Sequence, residues 1–199
     1  MDGIRFFDLF FAIVGLILLS PLFFILALCI KVSSKGPVFF KQDRVGKNGQ
    51  IFKLYKFRSM YVNAEAKGQL TVGGNDSRIN PVGLLLRKYK LDELPQFINV
   101  LTGDMSFVGP RPEVKKYVDL YTSEQLKVLN VLPGITDYAS LEYRNENELL
   151  LQAKNPEKFY IDEIMPRKIE LNYKFIDNRN FKNYFSILFL TIWTSIKGK

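Results

Sequence analysis

The sequence contains no histidine and only one cysteine, Cys29, among its 199 residues. Without histidine, the commonest general base, the usual zinc ligand and phosphohistidine chemistry are all excluded. A single cysteine in an apolar stretch allows neither a disulfide framework nor a thiolate metal cluster. Any chemistry must therefore use carboxylates, lysine, arginine, hydroxyl groups or a borrowed metal ion.

Acidic residues are also few relative to basic ones. The chain carries 20 aspartates and glutamates against 28 lysines and arginines, a formal net charge of +8. Such a protein is expected to bind anions, whether nucleic acid, nucleotide phosphates or an anionic membrane surface. Its length suits one compact domain, and 47% hydrophobic residues can form a sizeable core.

The first long segment, Phe6 to Ile30, is apolar apart from Asp8. As a straight helix it would be about 35 Å long, enough to cross a hydrocarbon core of about 30 Å. Ser20-Pro21 lies in its middle, and Pro21 has no N–H to donate, so the helix must kink there. Either the kinked helix spans the membrane or it returns to the face it entered from. The lysines and arginines that follow predict a cytoplasmic C-terminal side.

The stretch GPVFFKQDRVGKNGQIFKLYKFRSM predicts a β-hairpin, with strands at 38–40 and 51–57 around the turn 46–49. Its second half alternates aromatic residues with Lys53, Lys56 and Arg58. That pattern suits single-stranded nucleic acid, and equally a ribbon that faces phosphates or a membrane. The polar, glycine-rich chain from Ala64 to Asn80 is predicted to be a loop.

Asn80-Pro81 predicts the start of a helix, with asparagine as the cap and proline in the first turn. Pro95 begins a second apolar run that Gly103 ends. Further helices are predicted at 114–132 and 155–173. The C-terminal run 184–193 is too short to span a membrane, and is either an interfacial helix or a core helix.

The stretch LDELPQF sets the carboxylates of Asp92 and Glu93 just ahead of Pro95. One interpretation is that Asp92 caps the following helix, as aspartate commonly does. The other is phosphate chemistry, because Arg87 precedes the pair and Arg111 follows it in a rigid Pro-Arg-Pro. Carboxylates beside phosphate-binding cations can hold Mg²⁺ or attack phosphorus. With a membrane segment in the same chain, they suggest transfer of a phosphate-bearing group to or from a lipid.

Three stretches, FKLYKFRSM, LRKYKLDELPQFINVLTGDMSFVGPRPE and LPGIT, together with the Ser-Pro break, resemble the bacterial sugar transferases. These are the monotopic phosphoglycosyl transferases, here in their minimal single-domain form. The resemblance covers nearly the whole chain. It implies transfer of a phosphosugar from a UDP-sugar to polyprenyl phosphate, undecaprenyl phosphate in bacteria, with release of UMP. This reaction begins surface glycan or glycoconjugate synthesis.

The family pattern also implies roles for single residues. Asp92 corresponds to the nucleophile that forms a covalent phosphosugar-enzyme, and Glu93 to an acid that assists with metal or proton handling. Mg²⁺ is the implied cofactor, held by Asp92 and Glu93. Asp162 matches a family acidic residue more weakly. Contacts to phosphate or nucleotide are implied for Lys56, Arg87, Pro110, Arg111, Pro112 and Arg144.

The resemblance further implies an α+β fold, mostly helical with a short β-hairpin. Residues 1–32 would form a re-entrant membrane helix bent at Ser20 and Pro21. Residues 33–199 would form a small catalytic domain with interfacial amphipathic helices. The expected location is the cytoplasmic face of the bacterial inner membrane. The expected partners are the UDP-sugar, polyprenyl phosphate, membrane lipids, a second copy of the chain and downstream glycosyltransferases, but no nucleic acid.

The sequence departs from the family after LPGIT, where many members continue with Gly-Leu-Ala-Gln and Asn-Gly-Arg. Here DYASLEYRNEN follows, and only Arg144-Asn145 keeps part of the pattern. Two non-enzymatic classes compete with a transferase: a nucleic-acid or anionic-lipid binding protein, and a structural membrane anchor for a glycosyltransferase. The binding protein would need neither the acidic pair nor Pro-Arg-Pro, and the structural anchor predicts no turnover.

Overall fold

The computed structural model of the chain describes residues 3–64, 68, 70–73 and 76–197. The fold is α+β and mostly helical, as predicted. The helices are α1 Gly3–Leu18, α2 Ser20–Ser33, α3 Pro81–Lys88, α4 Gln96–Thr102, α5 Lys115–Val118, α6 Tyr138–Glu142, α7 Glu146–Gln152, α8 Pro156–Phe159, α9 Met165–Asp177 and α10 Phe181–Lys197. The strands are β1 Phe39–Val45, β2 Ile51–Phe57, β3 Ser106–Val108 and β4 Gly134–Thr136.

The predicted kink divides the N-terminal apolar segment into α1 and α2, whose axes are bent by 62°. Pro21 cannot donate to the carbonyl oxygen of Ile17, and the hydroxyl of Ser20 donates to it instead at 2.8 Å. The Ser-Pro pair thus breaks the helix while leaving that carbonyl hydrogen-bonded. Among the described residues, no single helix is long and apolar enough to cross a membrane, whereas α1 and α2 together are, by length and composition.

Asp8, the one carboxylate of α1, is buried against the rest of the protein. It accepts hydrogen bonds from the Ser106 hydroxyl at 3.0 Å, the Phe107 N–H at 2.9 Å and the Tyr184 hydroxyl at 2.8 Å. Further along α1, Gly15 lets the helix approach Phe97 so closely that a Cβ would lie 2.5 Å from the ring. Helix α1 is therefore packed on α4, β3 and α10 and is not a free-standing helix.

The far end of α2 is also held by the globular part. The Arg58 guanidinium donates to the carbonyl oxygens of Ile30 and Ser34, at 3.3 and 2.7 Å, and to the Ser34 hydroxyl at 3.0 Å. Ile30 is fully buried against Phe57 and Leu86. Both arms of the bent helix pair thus contact the same body of the protein.

The hairpin is confirmed, with β1 antiparallel to β2 and Phe39 opposite Phe57. Strand β1 is longer than predicted and extends to Val45, because its polar residues alternate between exposed and half-buried positions. The turn at 47–49 is closed by Asn48 in the left-handed conformation, with φ 55°. Lys53 lies on the outer face in an ion pair with Asp43, so the hairpin carries basic side chains on both faces.

Helix α3 begins as predicted, since the Asn80 side chain accepts a hydrogen bond from the Gly83 N–H at 2.7 Å. Gly83 is required there, because a Cβ would lie 1.8 Å from the carbonyl oxygen of Ser59. Helix α4 ends as predicted at Gly103, which has φ 98°.

The prediction that Asp92 caps a helix is wrong. Lys90 adopts a left-handed conformation, with φ 57°, and turns the chain into a separate 3₁₀ turn over Leu91–Glu93. Helix α4 starts only at Gln96, after Pro95, and no side chain caps it. Asp92 therefore lies too far ahead of α4 to accept its first N–H groups.

Two longer helix predictions need correction. The span 114–132 is broken after α5, because Thr122 and Gln125 exchange side chain to backbone hydrogen bonds, at 2.9 and 3.2 Å, that compete with the helix. A 3₁₀ turn over Gln125–Asn130 follows. The span 155–173 is helical and extends to Asp177, with a π turn at Tyr160–Ile164 between α8 and α9.

The C-terminal run predicted at 184–193 lies within α10. Its inner face is in the core, where Tyr184 and Ile187 are fully buried. Its outer face exposes Phe189, Ile192 and Trp193. Packing of the inner face in the core is therefore confirmed, and the interfacial role of the outer face stays a prediction. Beside it, β3 and β4 form a short parallel pair that the sequence did not predict.

We expect Asp8→Ala to destabilise the protein by about 3 kcal/mol, because three buried donors lose their acceptor. Tyr184→Phe removes one of the three hydrogen bonds and should lower the free energy of unfolding by only about 1 kcal/mol. Denaturant unfolding of both variants in detergent measures the difference. Equal stability of Asp8→Ala and the unaltered protein would show that the buried carboxylate does not hold α1.

Candidate active site

The acidic pair lies in the 3₁₀ turn between α3 and α4, and its two carboxylates have different surroundings. Glu93 accepts a hydrogen bond from Lys56 Nζ on β2 at 3.2 Å. It also accepts two from the Arg111 guanidinium, through Nη1 at 3.2 Å and through Nη2. The Glu93 carboxylate is thus clamped between two cations from different parts of the chain.

These cations determine the charge of Glu93. Burial opposes its ionisation, but Arg111 and Lys56 outweigh burial and hold the pKa of Glu93 well below its usual range. The pKa of Lys56 is lowered by its own burial, against the pull of Glu93. The Glu93 carboxylate is therefore an anion with its oxygens already engaged.

Asp92 is 5% exposed and has a buried carboxylate oxygen, Oδ1, with no hydrogen-bond partner in the described part of the chain. Burial and the neighbouring charge of Glu93 raise the pKa of Asp92, while Lys56 and Arg87 act in the opposite direction. A partnerless carboxylate in a desolvated site is more basic and more nucleophilic than one held by hydrogen bonds.

Asp92 faces a cavity of about 340 Å³, named here the dyad cavity. Lys56 and Arg87 also line it, and Arg87 Nη2 donates to the Thr71 hydroxyl at 3.0 Å. Its lining includes both apolar and basic side chains. The apolar lining residues, named here the apolar wall, include Pro37, Phe39, Phe40, Met60 and Val62. The basic lining residues are Arg44, Lys56, Arg58, Arg78 and Arg87.

Arg111 is positioned by the loop that follows β3. Its backbone N–H donates to Asp137 Oδ2 at 3.1 Å, and the other oxygen of Asp137 accepts the Ser140 N–H at 2.6 Å, capping α6. Pro110 and Pro112 flank Arg111 and line a second cavity of about 200 Å³. The predicted rigid Pro-Arg-Pro thus carries a guanidinium to Glu93.

Comparison with known proteins supports what this geometry suggests. Residues 3–198 match the bacterial sugar transferase family. The chain belongs to that family. The match spans nearly the whole chain and confirms the resemblance seen in its motifs.

Individual members are similar over most of this chain. It is 37% identical over 196 residues to the UDP-N-acetylgalactosamine-undecaprenyl-phosphate N-acetylgalactosaminephosphotransferase of Aeromonas hydrophila, across 96% of this chain and 43% of that protein. It is 38% identical over 197 residues to the UDP-glucose:undecaprenyl-phosphate glucose-1-phosphate transferase of Escherichia coli K12, across 96% of this chain and 40% of that protein.

A third relative is closer in length. The Bacillus subtilis protein named "Uncharacterized sugar transferase EpsL" is 39% identical over 188 residues, across 94% of this chain and 84% of that protein. The chain thus spans less than half of the first two relatives and most of the third.

The structure of this sugar transferase does not bring all the predicted site residues together. Asp92, Glu93, Lys56, Arg87 and Arg111 form one cluster. Arg144 donates to the carbonyl oxygen of Thr194 on α10 at 2.6 Å, and Asp162 is exposed in the π turn before α9. The contact of Arg144 with phosphate or nucleotide and the correspondence of Asp162 to a family acidic residue stay predictions.

Sequence reasoning gave no role to Arg44, which lines both cavities. Arg44 donates to Glu113 Oε1 at 3.2 Å and to the carbonyl oxygen of Pro112 at 3.0 Å, and Tyr160 donates to the other oxygen of Glu113. The burial of Tyr160 and its contact with Glu113 raise its pKa well above the usual value. The signal that could have revealed Arg44 was its partner Glu113, the acidic residue that ends the motif GPRPE.

The predicted Mg²⁺ can be tested against the donors present. Among the described residues, no group of three or more acidic, cysteine or histidine side chains could hold a metal ion. Mg²⁺ is, however, often bound by one or two carboxylates together with substrate phosphates. The partnerless oxygen of Asp92 fits that mode, whereas the Glu93 oxygens are already engaged by Lys56 and Arg111.

The opposing charges around Asp92 predict opposite effects on its pKa. Glu93→Gln removes a negative neighbour and frees two cations, so the pKa of Asp92 should fall. Lys56→Met removes a cation, so the pKa should rise. The ¹³C shift of the Asp92 carboxyl carbon, followed through a pH titration of aspartate-labelled protein, measures both. Asp92→Asn identifies the signal.

The matched control is Lys53→Met, on the exposed face of the same strand. This lysine pairs with Asp43, away from the acidic pair, so the titration of Asp92 should not change. A shift as large as that of Lys56→Met would mean that the charges beside Asp92 do not control its ionisation.

Proposed function

We propose that the protein transfers a phosphosugar from a UDP-sugar to undecaprenyl phosphate and releases UMP. The observation that carries this proposal is the buried carboxylate of Asp92, whose Oδ1 has no hydrogen-bond partner among the described residues and which lines a cavity together with Lys56 and Arg87. Two of the relatives described above are named as undecaprenyl-phosphate transferases of this kind, one for N-acetylgalactosamine and one for glucose.

The reaction has two displacements at one phosphorus. Asp92 attacks the β-phosphorus of the UDP-sugar, a bond forms between its carboxylate oxygen and phosphorus, and the bond to UMP breaks with the electron pair leaving on UMP. The phosphate oxygen of the lipid then attacks the same phosphorus. The bond to Asp92 breaks, the carboxylate is restored, and a lipid diphosphosugar is formed.

The two carboxylates differ in the way this chemistry requires. Glu93 is held by Arg111 and Lys56, so it is a poor nucleophile and serves to orient those two cations. Asp92 has no such clamp. Its raised pKa reflects burial, and the arrival of a diphosphate beside Lys56 and Arg87 would complete the charge balance of the site.

Mg²⁺, held by Asp92 with phosphate oxygens of the substrate, would neutralise charge on the diphosphate and the departing UMP. The chain's own cations supply the rest. Lys56 and Arg87 line the cavity that the phosphates would enter, and Arg111 reaches the same region from the loop after β3.

We also propose that the protein lies on the cytoplasmic face of the bacterial inner membrane, with α1 and α2 entering and leaving on that face. The support is that both arms of the bent pair contact one globular body, α1 through Asp8 and α2 through its contacts with Arg58. A spanning helix would separate one arm from this body. The exposed apolar residues at the bend include Ile17, Leu18 and Phe24.

We expect Asp92→Asn to abolish UMP release from the preferred UDP-sugar in the presence of Mg²⁺ and undecaprenyl phosphate, because a neutral amide is a poor nucleophile. A panel of UDP-sugars identifies the donor. With that donor alone, the unaltered protein should also retain a labelled phosphosugar that Asp92→Asn lacks. Near-normal turnover of Asp92→Asn would contradict covalent catalysis at this residue.

The bend should determine the topology. In cells carrying Cys29→Ser with a cysteine introduced at Asp2, an impermeant thiol reagent added outside should label the protein only after permeabilisation. Pro21→Ala should straighten the segment and expose part of the population to external label. External labelling in the presence of Pro21 would contradict the re-entrant arrangement.

A further inference from the structure

Arg58 carries a buried charge that no carboxylate of the described residues neutralises. It is 4% exposed, and its recorded hydrogen bonds go to neutral oxygens, those of Ile30 and Ser34. Its Nε and Nη1 have no hydrogen-bond partner among the described residues, and no described carboxylate lies within ion-pair distance. Buried charges in proteins are normally paired, because an isolated ion is expensive to desolvate.

The other cations of the dyad cavity show that this is a local exception. Lys56 pairs with Glu93, Arg44 with Glu113 and Arg78 with Asp76. Arg87 has no ion pair among the described residues either, but it is only half-buried and donates to the Thr71 hydroxyl. Arg58 is therefore a buried cation in the cavity lining without a carboxylate partner in the described part of the chain.

The surroundings of Arg58 indicate which anion. The guanidinium lies at the end of α2, within contact of Ile30 and Ser34, and the exposed apolar residues Leu28 and Val32 are on the same helix. From there the chain continues into the apolar wall of the dyad cavity at Pro37. A cavity lined by apolar side chains as well as by this buried cation fits an amphipathic anion, a phosphate carried on a hydrocarbon chain.

We propose that Arg58 binds the phosphate of the lipid acceptor, and that the apolar wall of the dyad cavity receives the first units of its isoprenoid chain. This assignment rests on the proposed transferase function. The acceptor phosphate thus enters from the α2 side of the dyad cavity, and Lys56 and Arg87 lie on the Asp92 side. One arginine would then bind both the membrane helix and the lipid substrate.

The test measures binding in a protein that cannot turn over. Asp92→Asn protein is purified in detergent and titrated with ³²P-labelled undecaprenyl phosphate. Adding Arg58→Gln should weaken binding about tenfold or more, because charge-assisted hydrogen bonds are lost. Undecaprenol, the neutral alcohol, should compete poorly with undecaprenyl phosphate for binding, both with and without Arg58→Gln. Affinity for the UDP-sugar should stay within about twofold.

The matched control is Arg5→Gln. Arg5 also ties a membrane helix to the globular part through carbonyl oxygens, those of Met105 and Leu101, at 3.2 and 3.4 Å, but it does not line the cavity. Lipid phosphate binding should therefore survive Arg5→Gln. Equal losses in the two variants would mean that Arg58 acts only as a tether, and would overturn the proposal.

A second pair of variants avoids dependence on the folding of Arg58→Gln. Val62 and the Arg58 guanidinium are neighbours beside Gly36. A Cβ built on Gly36 would lie 2.8 Å from Val62 Cγ2 and 2.1 Å from Arg58 Nη1. Val62 is 55% exposed. Val62→Glu would supply a competing carboxylate beside the guanidinium. Its affinity for undecaprenyl phosphate should be several-fold lower than that of Val62→Gln, and equal affinities would count against the assignment.

The outcomes separate this proposal from the transferase function. If Arg58→Gln loses affinity for the UDP-sugar and keeps that for the lipid phosphate, Arg58 serves the donor and the assignment is wrong. Suppose that Arg58→Gln keeps its affinity for both the UDP-sugar and the lipid phosphate, while the unaltered chain releases UMP. Then the transferase function stands and only the role of Arg58 is wrong. If the unaltered chain neither releases UMP nor binds undecaprenyl phosphate, both proposals fail.

Discussion

The carboxylate of Glu93 joins three parts of the chain that are far apart in sequence. Lys56 reaches it from the hairpin, Arg111 reaches it from the loop after β3, and its own turn connects α3 to α4. A buried carboxylate with two cationic partners is stable only while all three are present, since removing one leaves an unpaired buried charge. The position of Asp92 depends on this arrangement, because it is the neighbouring residue in the same turn.

Adjacent residues thus acquire opposite chemical characters from their partners alone. Glu93 has its oxygens occupied and its pKa lowered, while Asp92 has a raised pKa and an oxygen, Oδ1, that no described residue hydrogen-bonds. The same division between a structural and a reactive carboxylate recurs wherever two acids share a site. Here it is produced by the direction of two side chains leaving one 3₁₀ turn.

Sequence reasoning succeeded where the signal was local. The Ser20-Pro21 bend, the Asn80 cap and the end of α4 at Gly103 each follow from one or two residues. It failed for the Asp92 cap, because lysine rarely adopts the left-handed conformation that Lys90 has here, so the residue type did not signal it. The contacts of Asp8 and Arg44 could not be foreseen either, since their partners lie about 70 to 180 residues away in sequence. A lone carboxylate in an apolar helix was nevertheless a sign that a polar partner existed.

The burial of Asp8 has a consequence for how this chain could be altered or could have diverged. An apolar helix of the same length, taken from an unrelated protein, would leave the Ser106, Phe107 and Tyr184 donors facing hydrocarbon side chains. The N-terminal helix pair is consequently not an exchangeable segment. Chimeras should join outside residues 3–33 and carry the native segment together with its own α10, since the two form a matched set.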